Sequence, residues 1–238
     1  MLFFYIRHGE PIYDPDSLTP LGHLQAQALA KRLARFGIDE IYASTSTRAQ
    51  QTALPTAQLL NKEIISMDWC NERYASSELH VKVGEDDKFA WAFQQEEYRR
   101  LFVSEEVRSM GRNWINHPKL SRFEKGIKRI SDETNAFFAK FGYVHDADNG
   151  CYYYDGEDDN RRIALFAHQG FGLAFLSCVL DIPYPEFCTR FDVCHSSMTV
   201  IEFQANKGIV VPRVLELSND SHIYAEGLPT KYNNKVNF

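Results

Sequence analysis

Two rhythms of apolar and polar residues run along this chain. Leu2–Ile6 is a short continuous apolar run that ends at Arg7, the pattern of a strand covered on both faces. A loop with Pro11, Pro15 and Pro20 follows. Leu21, Leu24, Ala28, Leu29 and Leu33 then recur at helical spacing. Thr19 is placed to cap that helix, Pro20 suits its first position and Gly37 suits its end. Ile38–Ala43 predicts a second strand, and Thr47–Leu60 a second helix, with Pro55 a mark against its being unbroken. This order of strand, loop and helix, given twice, predicts a parallel sheet with helices on its faces.

The middle of the chain is less regular. Helices are expected near Asp86–Val103 and Ser121–Phe141. Asp148-Asn149-Gly150 lies between the β-prone runs Tyr143–His145 and Cys151–Tyr154, which predicts a hairpin. The acidic stretch Asp155–Asn160 reads as a solvated loop. Regular patterning then returns: a strand over Arg162–Ala167, an apolar helix over Gly170–Leu180, and late strands over Ser197–Phe203 and Val210–Leu217. The expectation is a three-layer α/β/α fold with a mostly parallel central sheet. One domain over 1–238 would carry a cap or insertion at about 76–160.

Composition narrows the function classes. The chain has 238 residues, 44% of them hydrophobic, enough to bury a core without staples. Its formal net charge is -6 and it has no long basic run, which argues against a nucleic-acid partner. Five cysteines, none at CxxC spacing, suggest neither a disulfide framework nor a zinc site. The N-terminal apolar run is too short for a signal peptide, and Phe171–Leu180 is too short to cross a bilayer. A cytoplasmic protein without a membrane partner is expected.

The candidate chemistry gathers where predicted strands end. Arg7-His8-Gly9-Glu10 directly follows the first strand, and ligands of α/β sheets bind at the carboxyl ends of strands. His8 can present a ring nitrogen there, and Arg7 offers a fork suited to phosphate oxygens. Ser44–Ala53 opens a helix after the second strand and carries Arg48, at the dipole end that favours an anion. His168 stands at another strand end, and Glu72 follows the run Met67–Trp69.

These motifs, in this order, resemble the histidine phosphatase superfamily, also called phosphoglycerate mutase-like. The likeness rests on Arg7-His8-Gly9, on Leu18, Thr19, Gly22, Gln25 and Ala26, on Ser44–Ala53, on His168 and on Asn219-Asp220-Ser221-His222. It covers roughly residues 1–75 and 160–225. The resemblance implies covalent catalysis: His8 attacks phosphorus while Arg7, Arg48 and His168 hold the phosphoryl oxygens. Glu72 is the expected proton donor and later the base, with Glu78 as its substitute. Gln169 stands where the acid-phosphatase branch has an aspartate, which favours Glu72. No cofactor and no metal are expected.

Two departures stand out. Many family members have an asparagine seven residues after the motif arginine; here it is Asp14, whose charge would repel phosphate unless turned away, paired or protonated. The segment from Glu72 to His168 is long, and its aromatic residues, Trp91 and Phe93 among them, could wall a leaving-group site or simply pack. Arg99-Arg100 could grip a carboxylate, as mutases do, but neighbours on a helix diverge. His195 could reach the pocket rim or be a buried polar residue. The leading expectation is a phosphatase acting on a small phosphorylated metabolite, with a homo-oligomer possible. Mutase-type transfer and a silent phosphate- or phosphopeptide-binding module are the alternatives.

Overall fold

In the computed structural model, which describes residues 1–84 and 88–234, a six-stranded sheet forms the middle layer. Its order is Arg213–Asn219, Met198–Glu202, Leu2–Arg7, Arg162–Ala167, Glu40–Ser44, Ile64–Met67. The last four run parallel. Met198–Glu202 is antiparallel to both of its neighbours. The expected three-layer α/β/α fold with a mostly parallel sheet is therefore present.

Strand alternation sends side chains to two separate cores. Phe4, Ile6, Ala43, Ala164 and Phe166 meet Leu29 and Leu33 of helix Pro20–Phe36 and Ala53 and Ala57 of helix Thr47–Leu60. Phe3, Tyr5, Tyr42, Ile163 and Leu165 face the other way. They pack on helices Glu124–Ala139 and Gln169–Val179 through Phe137, Phe138, Phe171 and Phe175. The Phe3 and Phe138 rings lie 5.1 Å apart, and those of Phe138 and Phe203 lie 4.7 Å apart. Each fully buried phenylalanine stabilises the fold by roughly 1.5–3 kcal/mol.

The first helix starts and stops where its sequence signals stand. Thr19 accepts from the Gly22 amide at 3.0 Å, and Gly37 ends it at φ 75°. Helix Thr47–Leu60 runs through Pro55. The hairpin Val144–Asp146 with Cys151–Tyr153 turns at Gly150, φ 65°.

Several expectations need correction. The helix expected over Asp86–Val103 is, where described, a strand Lys88–Trp91 paired with His80–Val83, then a helix confined to Glu96–Phe102. Asp86 itself lies outside the described residues. The acidic run Glu85–Asp87 reads in the sequence like a helix start, but Val81, Val83, Phe89 and Trp91 suit paired strands. The Pro11–Pro20 loop contains a small hairpin, Pro11–Tyr13 with Asp16–Leu18. The last strand is interrupted: Ile209–Val210 joins a small sheet and Arg213–Asn219 the main one. Pro212 lies between them and has no amide hydrogen to give a ladder. Among the described residues, no helix is long and apolar enough to cross a membrane.

Candidate active site

The sheet register brings the two predicted histidines together. Arg7 is opposite Ala167, and the His8 amide donates to the Ala167 carbonyl at 2.9 Å. His8 and His168 therefore leave adjacent parallel strands side by side, with ring centroids 5.3 Å apart. Tyr5 secures the second one: its hydroxyl donates to the His168 carbonyl at 2.5 Å and accepts from the His168 amide at 3.2 Å. Arg48 enters from the first turn of helix Thr47–Leu60, whose cap is Ser46, and its Nη2 donates to His168 Nδ1 at 3.1 Å. Glu72 opens helix Glu72–Leu79. Its Oε1 accepts from the Gly170 amide at 2.8 Å, and its Oε2 lies 3.3 Å from Arg48 Nη2 and 3.5 Å from His168 Nδ1. Five predicted residues, Arg7, His8, Arg48, Glu72 and His168, thus converge at the carboxyl edge of the sheet.

Hydrogen bonding fixes the ring protons. His8 Nδ1 is 2.7 Å from the Gly9 carbonyl, which only accepts, so Nδ1 carries the proton and Nε2 keeps its lone pair. An arginine only donates, so His168 Nδ1 is the acceptor and its Nε2 donates to Ser44 Oγ at 2.8 Å. Both imidazoles are neutral. Burial holds His8 well below the usual histidine value, helped by His168, Arg7 and Arg48. Burial does the same to His168, with Arg48 and Arg7 adding to it.

The two guanidinium groups are only partly satisfied. Arg7, 1% exposed, donates from Nη1 to the Val193 carbonyl at 2.6 Å and from Nη2 to Asn233 Oδ1 at 2.8 Å. Arg48 pairs with Asp16 at 2.7 Å and with Glu72. Among the described residues, the buried Nε of each arginine has no acceptor. Two orphaned cationic donors beside two neutral imidazoles make a site for an anion with several oxygens.

Other motif residues build the frame around this site. Gly9 must lack a side chain, because a Cβ would stand 2.7 Å from the Gly22 carbonyl oxygen. Gly22 is equally constrained by the Glu10 carbonyl oxygen, at 2.3 Å. The Gly9 amide donates to Thr52 Oγ1 at 3.0 Å, and the Glu10 amide to Gln25 Oε1 at 2.8 Å. Asn219 accepts from Arg32 at 2.5 Å, and His222 is 3.3 Å from Ser196 Oγ; these residues join the late strands to the first helix.

The remaining candidates have other places. Asp14 is exposed, turned out on the small hairpin, while Asp16 two residues later clamps Arg48 and accepts from the Thr47 amide at 2.8 Å. Glu78 is spent on Arg129 at 2.7 Å. Arg99 and Arg100 are exposed, and Arg100 pairs with Glu96. His195 is buried with its ring stacked 5.9 Å from that of His8, and burial, then Arg7, pushes it down to about 3. Asp16 and Asn233 had no motif to announce them; only their distance from the arginines in space does so. His8, Glu72 and His168 also put possible metal-ligand atoms within 4.8 Å of one another. Arg48 donates to one of those imidazoles and a second arginine charge is close by, so the donor set suits an anion better than a cation.

Comparisons with known proteins bear on the family and the fold. Residues 3–110 match the model of the histidine phosphatase superfamily (branch 1). A Hydrogenobacter thermophilus protein with the provisional name phosphoserine phosphatase 2 is 23% identical over 152 residues. That alignment spans 56% of this chain and 66% of the relative, just under two thirds of its length. Among solved structures, a mutant phosphoserine phosphatase from Entamoeba histolytica bound to phosphoserine superposes with a TM-score of 0.60 at 17% identity, covering 93% of this chain and 98% of that one. The alpha-ribazole phosphatase of Shigella flexneri gives 0.56 at 20% identity, covering 92% and 97%. These structural likenesses establish a shared fold. Residues 3–110, which carry Arg7, His8, Arg48 and Glu72, are thus similar to the histidine phosphatase superfamily (branch 1), on a fold that the chain shares with these phosphatase structures.

Proposed function

We propose that this protein hydrolyses small phosphate monoesters through a phosphohistidine on His8. One observation carries the reading: His8 presents a neutral ring, with its proton on Nδ1, next to two arginines whose buried Nε donors each have no acceptor among the described residues. A nucleophile needs the free lone pair, and a phosphoryl group needs the donors. The family-model match over residues 3–110 supports the same reading, as do relatives named for phosphatase activity.

In the first step His8 Nε2 forms a bond to phosphorus and the bond to the ester oxygen breaks. Arg7, Arg48 and His168 offset charge on the phosphoryl oxygens. Glu72 gives its proton to the departing oxygen. In the second step water attacks phosphorus, the P–N bond breaks, and Glu72 takes the water proton. The Gly170 amide holds Glu72 at this spot. The substrate is a small phosphorylated metabolite, and the paired strands and short helices between His80 and Phe123 form the cap that meets its leaving group. Trp91 supports the cap role, because its ring lies against Gly170, the residue that holds Glu72. Five unpaired cysteines fit a reducing, cytoplasmic setting.

The test is phosphate release from a panel of monoesters by the wild type and His8→Ala. Release by the wild type, abolished in His8→Ala, is expected. Equal release by both would overturn the reading.

A further inference from the structure

Arg7 does not lie in the site by itself. Its Nη2 donates to Asn233 Oδ1 at 2.8 Å, and Asn233 is 226 residues away, near the end of the described chain. The direction of each bond in this chain of contacts is fixed. Asp192 only accepts, so the Gln169 amide nitrogen faces Asp192 Oδ1. Gln169 Oε1 must then accept, and it does so from Asn233 Nδ2 at 3.0 Å. That leaves Asn233 Oδ1 for Arg7. Asp192 also accepts from the Val193 amide at 2.7 Å, and the Val193 carbonyl takes the other end of Arg7. The segment bearing Asn233 is anchored independently: the His195 amide donates to the Lys231 carbonyl at 2.8 Å, and Thr230 bonds Asp220.

We propose that Asn233 is a positioning residue for the phosphate site, and that Gln169 acts through it. The relay from Asp192 through Gln169 to Asn233 fixes the Arg7 fork, and so fixes where the unpaired Nε–H stands. Gln169 directly follows the second histidine, so one turn places His168 at the phosphate and its neighbour behind Arg7. An uncharged acceptor is the suitable partner: it orients the guanidinium without cancelling the charge that the phosphate needs. This rests on the anion-site reading of Arg7 above.

Isothermal titration of inorganic phosphate into the wild type, Asn233→Ala, Asn233→Asp and Gln169→Ala tests it. Asn233→Ala and Gln169→Ala should each weaken phosphate binding about tenfold, the scale of one hydrogen bond to a charged group. The double variant should be no worse than the poorer single one, since both act on one relay. Asn233→Asp should weaken binding further than Asn233→Ala, because its carboxylate competes with phosphate for Arg7. Aspartate also cannot donate to Gln169 Oε1, so this comparison is made in the Gln169→Ala background, where that oxygen is gone and a merely structural role predicts the reverse order. Wild-type affinity in Asn233→Ala, or Asn233→Asp binding as well as or better than Asn233→Ala in that background, would overturn the proposal. The titration needs no turnover, so a wild type that binds phosphate but releases none from esters counts against the hydrolysis reading alone.

Discussion

At the scale of single residues, local surroundings set the protonation of the histidines and the position of Glu72. Carbonyl and guanidinium partners choose the tautomers, and burial keeps the rings neutral. Glu72 is held by one backbone amide and faces Arg48 with its other oxygen, a geometry that serves proton transfer only if the carboxyl group is next to the leaving oxygen. Replacing Glu72 by Gln should therefore slow esters with poor leaving groups by roughly 10²–10⁴-fold, and esters with good ones far less. Steady-state rates on an alkyl and a nitrophenyl phosphate check this; equal slowing of the two removes Glu72 as the acid. The sequence pointed to residues that the fold brings together: Arg7, His8, Arg48 and His168 from strand-end motifs and the isolated Glu72 converge at one sheet edge. Asp16 and Asn233 were not, because an aspartate in a hairpin and an asparagine in a terminal segment mean nothing until folding brings them to an arginine. Asp14 shows the same limit from the other side, since its neighbour at Asp16 does the pairing.

At the scale of elements, periodicity was a good guide wherever an element meets the sheet. Both early helices and the strands Leu2–Arg7 and Arg162–Ala167 follow from their apolar spacing and caps. The failures lie away from the sheet, at the paired strands His80–Val83 and Lys88–Trp91 and at Pro212, where pairing partners decide the state and spacing does not. That strand pair is coupled to the active site through a single glycine. A Cβ on Gly170 would stand 2.1–2.5 Å from three atoms of the Trp91 ring. Gly to Ala inside a helix normally stabilises by up to about 1 kcal/mol. Here Gly170→Ala should instead destabilise by about 1–3 kcal/mol through overpacking, and should reduce activity by shifting the amide that holds Glu72. Thermal melts of Gly170→Ala and of Gly170→Ala with Trp91→Leu check it: the double variant should recover much of the loss, and additive losses would refute the contact as the cause.

At the scale of the whole molecule, several histidines are buried as neutral rings. His222 is pushed down to about 4 by burial and then by Arg32, and His195 to about 3. His8 and His168 lie well below the usual value. The unfolded chain takes protons on these residues from about pH 6.5 downward, while the folded chain refuses them until far lower pH. The unfolded state then binds more protons, so stability falls as pH falls, by up to about 1.4 kcal/mol per pH unit for each histidine. Asp159, lowered to about 2, loses its contribution over a still more acid range. Melting temperatures should be nearly flat above pH 7 and drop steeply between about pH 6 and 4; a flat profile across that range would contradict the buried neutral rings. His8 is itself only 1% exposed. A phosphoryl group attached to it would be poorly reached by water, so its hydrolysis should be slower than its formation. Rapid mixing should accordingly release about one equivalent of alcohol per chain ahead of steady turnover, the kinetic imprint of a shielded covalent intermediate.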